Sequence, residues 1–312
     1  MRHCSKTIGD FLVRSLVLRS ERLLASMAAW MAEIIQFGPT MRTLTDTALG
    51  AKTQEFRNRL ADALHGRQAP CEEPDRALDN LLSEAFAVAG EASARVLGAQ
   101  ALQSRCVIGR LDAQMLGGMA LHRSMITEMP EDEVKPLVAS TLAAYLNALL
   151  GKGVHIVTAN DSLALGKCHW LGPLFEFLGL TVGVIHNQQE LEPKREAYQR
   201  DITFGKDSEF AFDYLRDTLR PSTEERVQGR VPYYAIIDKP QSLLIDEART
   251  PLMITADGAD GEVQLLAKVT YQDFFQRYEK LAGQTGIHTA DAGEFHKRYK
   301  LGVVTIERMG TS

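Results

Sequence analysis

The sequence predicts an α/β fold: a mainly parallel sheet covered on both faces by helices and preceded by N-terminal helices. Three observations predict it. Beyond about residue 150, short β-rich runs alternate with helical stretches, the pattern of strands joined by helical crossovers. Gly151 and Gly179 each fall just after a helical stretch, where a left-handed residue is wanted. Upstream, Leu78, Leu81, Leu82, Ala85, Phe86 and Ala89 recur at helical spacing. Sheets of this kind bind ligands outside the carboxyl ends of their strands.

The elements follow in order. From Phe11 to Phe37 apolar residues mix with Arg14, Arg19 and Arg22, and Leu16, Arg19, Leu23, Met27, Trp30 and Ile34 show near-helical spacing. A membrane-surface helix has this pattern, and so does a signal sequence with a charged middle. The preferred reading is a helix that packs on its own domain. Asp46 to Leu64 reads as helix, and residues 65 to 76, with Gly, two Pro and charges, read as a loop. The expected strands are Val154 to Thr158, Thr181 to Ile185, Ile202 to Phe204, Tyr234 to Ile237 and Met253 to Ile254. The expected helices between them are Pro136 to Leu150, Ser162 to Leu178 and Ser208 to Leu219.

Composition excludes several classes. A net charge of −5 argues against a dedicated nucleic-acid binder, which would carry a basic surplus. Cys4, Cys71, Cys106 and Cys168 are widely spaced, with no C-x-x-C pair, so neither a zinc site nor a disulfide framework is indicated. A reducing cytoplasm suits them. No apolar run reaches the roughly 18 to 20 residues of a membrane span.

Specific segments go further. They include Leu116-Gly-Gly-Met119 with Gln114 before it, Asn160-Asp161, Pro173 to Gly183 and Lys194-Arg-Glu-Ala-Tyr198. Asp201-Ile-Thr-Phe-Gly205, Phe212-Asp-Tyr-Leu-Arg-Asp217 and Leu244-Ile-Asp-Glu-Ala-Arg-Thr-Pro-Leu252 continue the series, and Tyr278 to Gly283 and Glu294 to Lys297 complete it. Together, from about Leu44 to Val304, they resemble SecA, the motor ATPase of bacterial protein export. The resemblance implies a RecA-like P-loop NTPase parallel sheet with N-terminal helices. It also implies ATP at an interface with a second such domain, and a preprotein-binding domain inserted after Leu252. Here only Thr255 to Lys268 intervenes before the family pattern resumes at Val269. The expected organisation is therefore an N-terminal helical region and linker, 1–76, and a degenerate first nucleotide-binding domain, 77–312, lacking that insertion. The second nucleotide-binding domain, helical scaffold and C-terminal zinc segment of the family have no counterpart before Ser312.

A working phosphate loop uses glycines to wrap backbone N–H groups around phosphate, a lysine for charge and a hydroxyl for Mg²⁺. The segment matching the family's loop is Met129-Pro-Glu-Asp-Glu-Val-Lys-Pro136. Lys135 survives, Asp132 and Val134 stand at the glycine positions, and Pro136 replaces the hydroxyl residue. A β-branched Val resists the backbone angles Gly accepts, and Pro130 and Pro136 each remove an N–H. Glu131, Asp132 and Glu133 bring carboxylates to a place meant for phosphate. One like-charge contact near 4 Å costs about 1 kcal/mol in water and about 4 at an effective dielectric of 20. Pro136 is well placed to open a helix, so the fold can outlive the site.

The family's acidic strand ends in Asp-Glu, where Asp helps hold Mg²⁺ and Glu activates water. Here the strand ends at Asp238 and Lys239 stands at the base position. Asp246-Glu247-Ala248-Arg249 resembles a helicase box, but it lies beyond Asp238 and reads as ion pairing and capping. Gln114 resembles the family's adenine-reading glutamine in a shortened neighbourhood, and Thr285-Gly286 resembles its coupling motif with Ile287 in place of the second Thr. His155, His169 and His296 read as structural. The expectation is a pseudo-ATPase domain with a binding or regulatory role in protein export. Gln114, Lys135 and Asp238 form a vestigial nucleotide site, with ATP bound weakly at best and Mg²⁺ held only through Asp238. Expected partners are the protein-export machinery or a SecA-like chain, with peripheral contact at the inner face of the plasma membrane, a cytoplasmic location and no nucleic acid. Two alternatives stand beside it: a weak ATP-binding or ATP-hydrolysing component completed by another chain, and a decayed fragment.

Overall fold

The computed structural model describes residues 4–8, 11–15, 20–65, 72–98, 111–129, 135–230, 232–257, 262–286 and 290–308. Among them, the strands are β1 (Cys4–Ile8), β2 (Phe11–Ser15), β3 (Met125–Glu128), β4 (Val154–Thr158), β5 (Val182–Val184), β6 (Ile202–Lys206) and β7 (Tyr234–Asp238). Then come β8 (Pro251–Asp257), β9 (Val263–Thr270), β10 (Lys280–Thr285) and β11 (Gly302–Arg308). The helices are α1 (Ser20–Thr43), α2 (Asp46–His65), α3 (Pro74–Val96), α4 (Leu111–His122) and α5 (Lys135–Ala148). After these come α6 (Asp161–Phe177), α7 (Leu191–Gln199), α8 (Asp207–Thr218), α9 (Tyr271–Phe275) and α10 (Ala292–Tyr299).

The main sheet has the order β1-β2-β11-β3-β10-β7-β4-β6-β5. From β11 to β5 every pairing is parallel, whereas β2 and β1 continue the edge antiparallel. This is a RecA-like α/β arrangement. Strands β3 and β4 are consecutive in the chain yet separated by β10 and β7, so α5 crosses over between them. The register places Thr285 opposite Glu128 and Gln284 opposite Asp238. The carboxyl ends of β3, β10 and β7 therefore lie level, side by side.

Alternation along the strands divides the core in two. Val154, Ile156, Tyr234 and Ile236 join a cluster with Met27, Phe56, Phe86, Leu116 and Tyr145, which brings α1 to α6 onto one face. Ala235, Ile237 and Val157 join Tyr198, Phe210, Phe274 and Phe295, which brings α7 to α10 onto the other. A central parallel strand buried on both faces needs an unbroken apolar run, and Tyr-Ala-Ile-Ile in β7 supplies it.

The expected strand at Val154 to Thr158 and the helices after Asn160 and before Leu219 are present. Gly151 and Gly179 have φ of 69° and 77°, ending α5 and α6 in the left-handed conformation. The N-terminal helix expected from Phe11 begins instead at Ser20. Phe11–Ser15 forms a strand on the free edge of β11, with Ser15 opposite Val304 and Arg14 opposite Thr305. Leu16 and Arg19 lie outside the described residues. From Ser20 onward the preferred reading holds: Met27, Met31, Ile34 and Met41 are buried against the domain's own core. No helix among the described residues is long and apolar enough to cross a membrane.

The run at Met253 and Ile254 is not a sheet strand of the main domain. It belongs to β8, which pairs only with β9 in a separate antiparallel hairpin. Residues 258–261, between the two, lie outside the described residues. The hairpin exposes Met253, Val263, Leu265 and Leu266.

Candidate functional site

Strand β3 delivers the chain to Met129, whose backbone N–H donates to Thr285 O at 3.0 Å. The Leu116-Gly-Gly-Met119 segment explains how α4 approaches this point. A Cβ added at Gly117 would stand 2.8 Å from Met129 Sδ and 3.0 Å from Ala139 Cβ. The glycines thus let α4 lie directly on α5 and on the residue that opens the loop. Gln114, one turn earlier on α4, is buried. Asp132 and Val134 lie outside the described residues, and Lys135 and Pro136 open the backbone of α5. Pro at the start of a helix is favourable, because its missing N–H is one of those left unbonded there.

At the end of β7, both oxygens of Asp238 are engaged. Lys167, on α6, forms an ion pair with Oδ2, and Gln284 Nε2 donates to Oδ1 at 3.0 Å. Lys239 follows with φ 53° and an exposed side chain, a left-handed conformation costing roughly 1–2 kcal/mol for a residue with a Cβ. Its backbone N–H donates to Gln284 O at 3.2 Å. Pro240 is buried over Gly283, where a Cβ would stand 2.8 Å from the proline ring. The acidic strand end is thus closed down by backbone and by two side chains from neighbouring elements.

These residues do not fit a divalent cation. Mg²⁺ needs oxygen ligands in a near-octahedral set. The carboxylate that would supply one is committed to an ammonium group, and a second ammonium group follows it in sequence. Proline at 136 offers no hydroxyl.

Glu128, at the end of β3, is a buried carboxylate that sequence reasoning did not single out. Its Oε2 accepts from Thr305 Oγ1 at 2.6 Å and its Oε1 accepts from Ala290 N at 2.9 Å. It ties β11 and the start of α10 to the loop-bearing strand. Lys167 was missed as well. The signal was its position on the stripe of Ala164, Leu171 and Leu174, which are buried.

Other motif residues hold the frame. Lys194 donates to Glu209 Oε2 at 2.7 Å and Asp213 Oδ1 at 3.1 Å, and Tyr198 OH donates to Asp213 Oδ2 at 3.0 Å. Asp217 accepts from the backbone N–H groups of Val227 and Gln228, each at 2.9 Å. Asp246 and Glu247 are exposed at a π-helical turn, with Gln241 and Ser242 as hydrogen-bond partners at 3.4 and 3.3 Å. His155 is partly buried, stacked on Phe210 at 4.6 Å and bonded to Tyr278 OH at 2.7 Å. Burial lowers its pKa to about 3, so it is neutral at pH 7. Ile287 lies outside the described residues.

A parallel sheet with helices on both faces, with α5 following β3 in the chain and the acidic end of β7 level with β3 and β10 at the carboxyl edge, defines a RecA-like domain of the P-loop NTPase class. Residues 13–264 match the SecA DEAD-like domain, and the chain belongs to that family. It is 49% identical to the protein translocase subunit SecA of Chromohalobacter salexigens over 245 residues, covering 78% of this chain and 24% of that protein. The SecA subunit of Nitrosococcus oceani is 44% identical over 268 residues, 86% of this chain and 27% of that protein. That of Bordetella pertussis is 46% identical over 242 residues, 78% and 24% respectively. The chain spans about a quarter of the length of the curated relatives it matches.

Proposed function

We propose that this chain is a SecA-type nucleotide-binding domain that keeps its framework but does not hydrolyse ATP, and that it serves protein export as a binding or regulatory module. The observation that carries this reading is the acidic strand end. Asp238 is occupied by Lys167 and Gln284, and Lys239 stands where a base would accept a proton from water. An ammonium group has no lone pair to do so at neutral pH. The loop sequence adds Asp132, Val134 and Pro136 to the same loss.

The organisation proposed is a helical region at 1–76 and a degenerate nucleotide-binding domain at 77–312. The β8–β9 hairpin stands in place of the family's preprotein-binding insertion. Its partners on this reading are the export machinery or a SecA-like chain, met at the inner face of the plasma membrane. The complete buried network around Lys194 supports a folded module over a decayed fragment. Gln114, Lys135 and Asp238 are the residues through which weak nucleotide binding would act.

The test is phosphate release from Mg-ATP by the purified full chain. The expected rate is that of buffer alone. Hydrolysis that disappears in Lys135→Ala would overturn the proposal. Calorimetry with ATP, with and without Mg²⁺, separates residual binding from none.

A further inference from the structure

Lys167 lies on the buried stripe of α6, three residues after Ala164 and four before Leu171, both fully buried. An apolar residue is the expected occupant of that position. Side chains on a helix lean toward its N-terminus, and α6 starts where β4 ends. The stem of Lys167 is thereby directed toward the carboxyl edge of the sheet, and its ammonium reaches Asp238 Oδ2. Both side chains are only 16% exposed. Gln284, level with Asp238 on the adjacent strand, fills Oδ1 at 3.0 Å.

We propose that Lys167 is a built-in cation: its ammonium holds Asp238 in the place of a divalent metal, so this edge of the sheet takes up no divalent ion. The inference deepens the reading given above and rests on it for the identity of the site. A divalent ion reaching Asp238 must displace the ammonium and then remain beside it, a like charge in a half-buried place. The carboxylate keeps its structural value as an anchor between β7, β10 and α6 while losing its availability as a ligand.

The probe is Mn²⁺ alone, titrated into the full chain and followed by electron paramagnetic resonance. The wild-type chain should bind no Mn²⁺ through Asp238 up to roughly 10 mM, well above the range of weak protein sites. Lys167→Met keeps the stem and removes the charge. It should gain one Mn²⁺ in the millimolar range, at least about tenfold tighter than wild type, and Asp238→Asn in the same background should abolish the gain. Lys167→Gln, neutral and still able to donate to Asp238, is the second variant if the methionine form does not fold. Wild-type binding that Asp238→Asn removes would overturn the inference. So would folded Lys167 variants that acquire no Mn²⁺. A chain that hydrolyses nothing yet binds Mn²⁺ at Asp238 fails this inference and leaves the proposed function standing, whereas Lys135-dependent hydrolysis fails the latter directly.

Discussion

Lys194 carries a charge almost wholly removed from water, with its side chain 4% exposed between Glu209 at 7% and Asp213 at 2%. Burial pushes the Asp213 carboxyl above its ordinary pKa, and Lys194 pulls it back. The lysine, together with Arg216 at 2.6 Å from Asp213 Oδ1, makes two buried carboxylates tolerable. Lys194→Met is expected to cost about 3–5 kcal/mol, because it removes the buried cation the two carboxylates share and leaves them only the half-exposed Arg216, 2.6 Å from Asp213 Oδ1. Adding Glu209→Gln and Asp213→Asn should recover most of that, and urea unfolding midpoints of the two forms check it. Lys194 and Asp213 stood out in the sequence as motif positions, whereas Glu209 did not. That they meet was not legible, since the partners lie 15 and 19 positions away, with β6 between them. Asp238 and Lys239 could be located because a hydrophobic strand runs straight into them. Lys167 could not be assigned the same way, since a lysine in a helix ordinarily reads as a solvated group.

At the scale of elements, legibility followed side-chain chemistry. Strands rich in Val, Ile and Phe, such as β4 and β6, announce themselves. Strand β10, Lys-Leu-Ala-Gly-Gln-Thr, is built from small and polar residues and is made a strand by β3 and β7 on either side. Helix α4 is apolar nearly all round, so its period is hidden, and its fit depends on glycine. A Cβ at Gly118 would stand 3.0 Å from Leu142 Cβ and 3.1 Å from the Phe86 ring. Gly118→Val should therefore destabilise by about 1–3 kcal/mol, through overpacking between α3, α4 and α5. Gly166, inside α6, has nothing within 4 Å of an added Cβ. Gly166→Ala should stabilise by about 0.5–1 kcal/mol through helix propensity. Thermal melts of the two variants should move in opposite directions. A shared direction would mean that contact with the facing helix does not set the choice of glycine.

For the whole molecule, the amino edge of the sheet holds two imidazoles that shape its response to acid, His122 buried and His155 partly buried. His122 sits at the end of α4 with Asp79 at 3.2 Å, Asn147 at 3.2 Å and Lys280 at 3.5 Å. Burial first, and then the charge of Lys280, lower its pKa to about 4, with Asp79 opposing and Arg123 adding to the fall. His155 is enclosed by Phe210, Tyr198 and Tyr278 and is lowered to about 3 by burial, with Arg230 contributing. Both fold as neutral rings. In the unfolded chain each takes up a proton near pH 6.5, so between that value and the folded one the unfolded state binds more protons. The stability they supply is complete above about pH 6.5 and is lost as pH falls toward 4. Each contributes a slope of about 1.4 kcal/mol per pH unit once well below 6.5. Asp75 and Glu84 are also pushed up by burial, but Lys280 and Arg59 with Lys52 outweigh it and hold them below the carboxylate range. Their contribution is lost only at still lower pH. Urea unfolding at pH 7, 6 and 5 should therefore show stability falling with acid more steeply at each step. His155→Phe keeps the stacking surface and should remove roughly half of that slope. A variant with an undiminished slope would place the acid sensitivity elsewhere in the molecule.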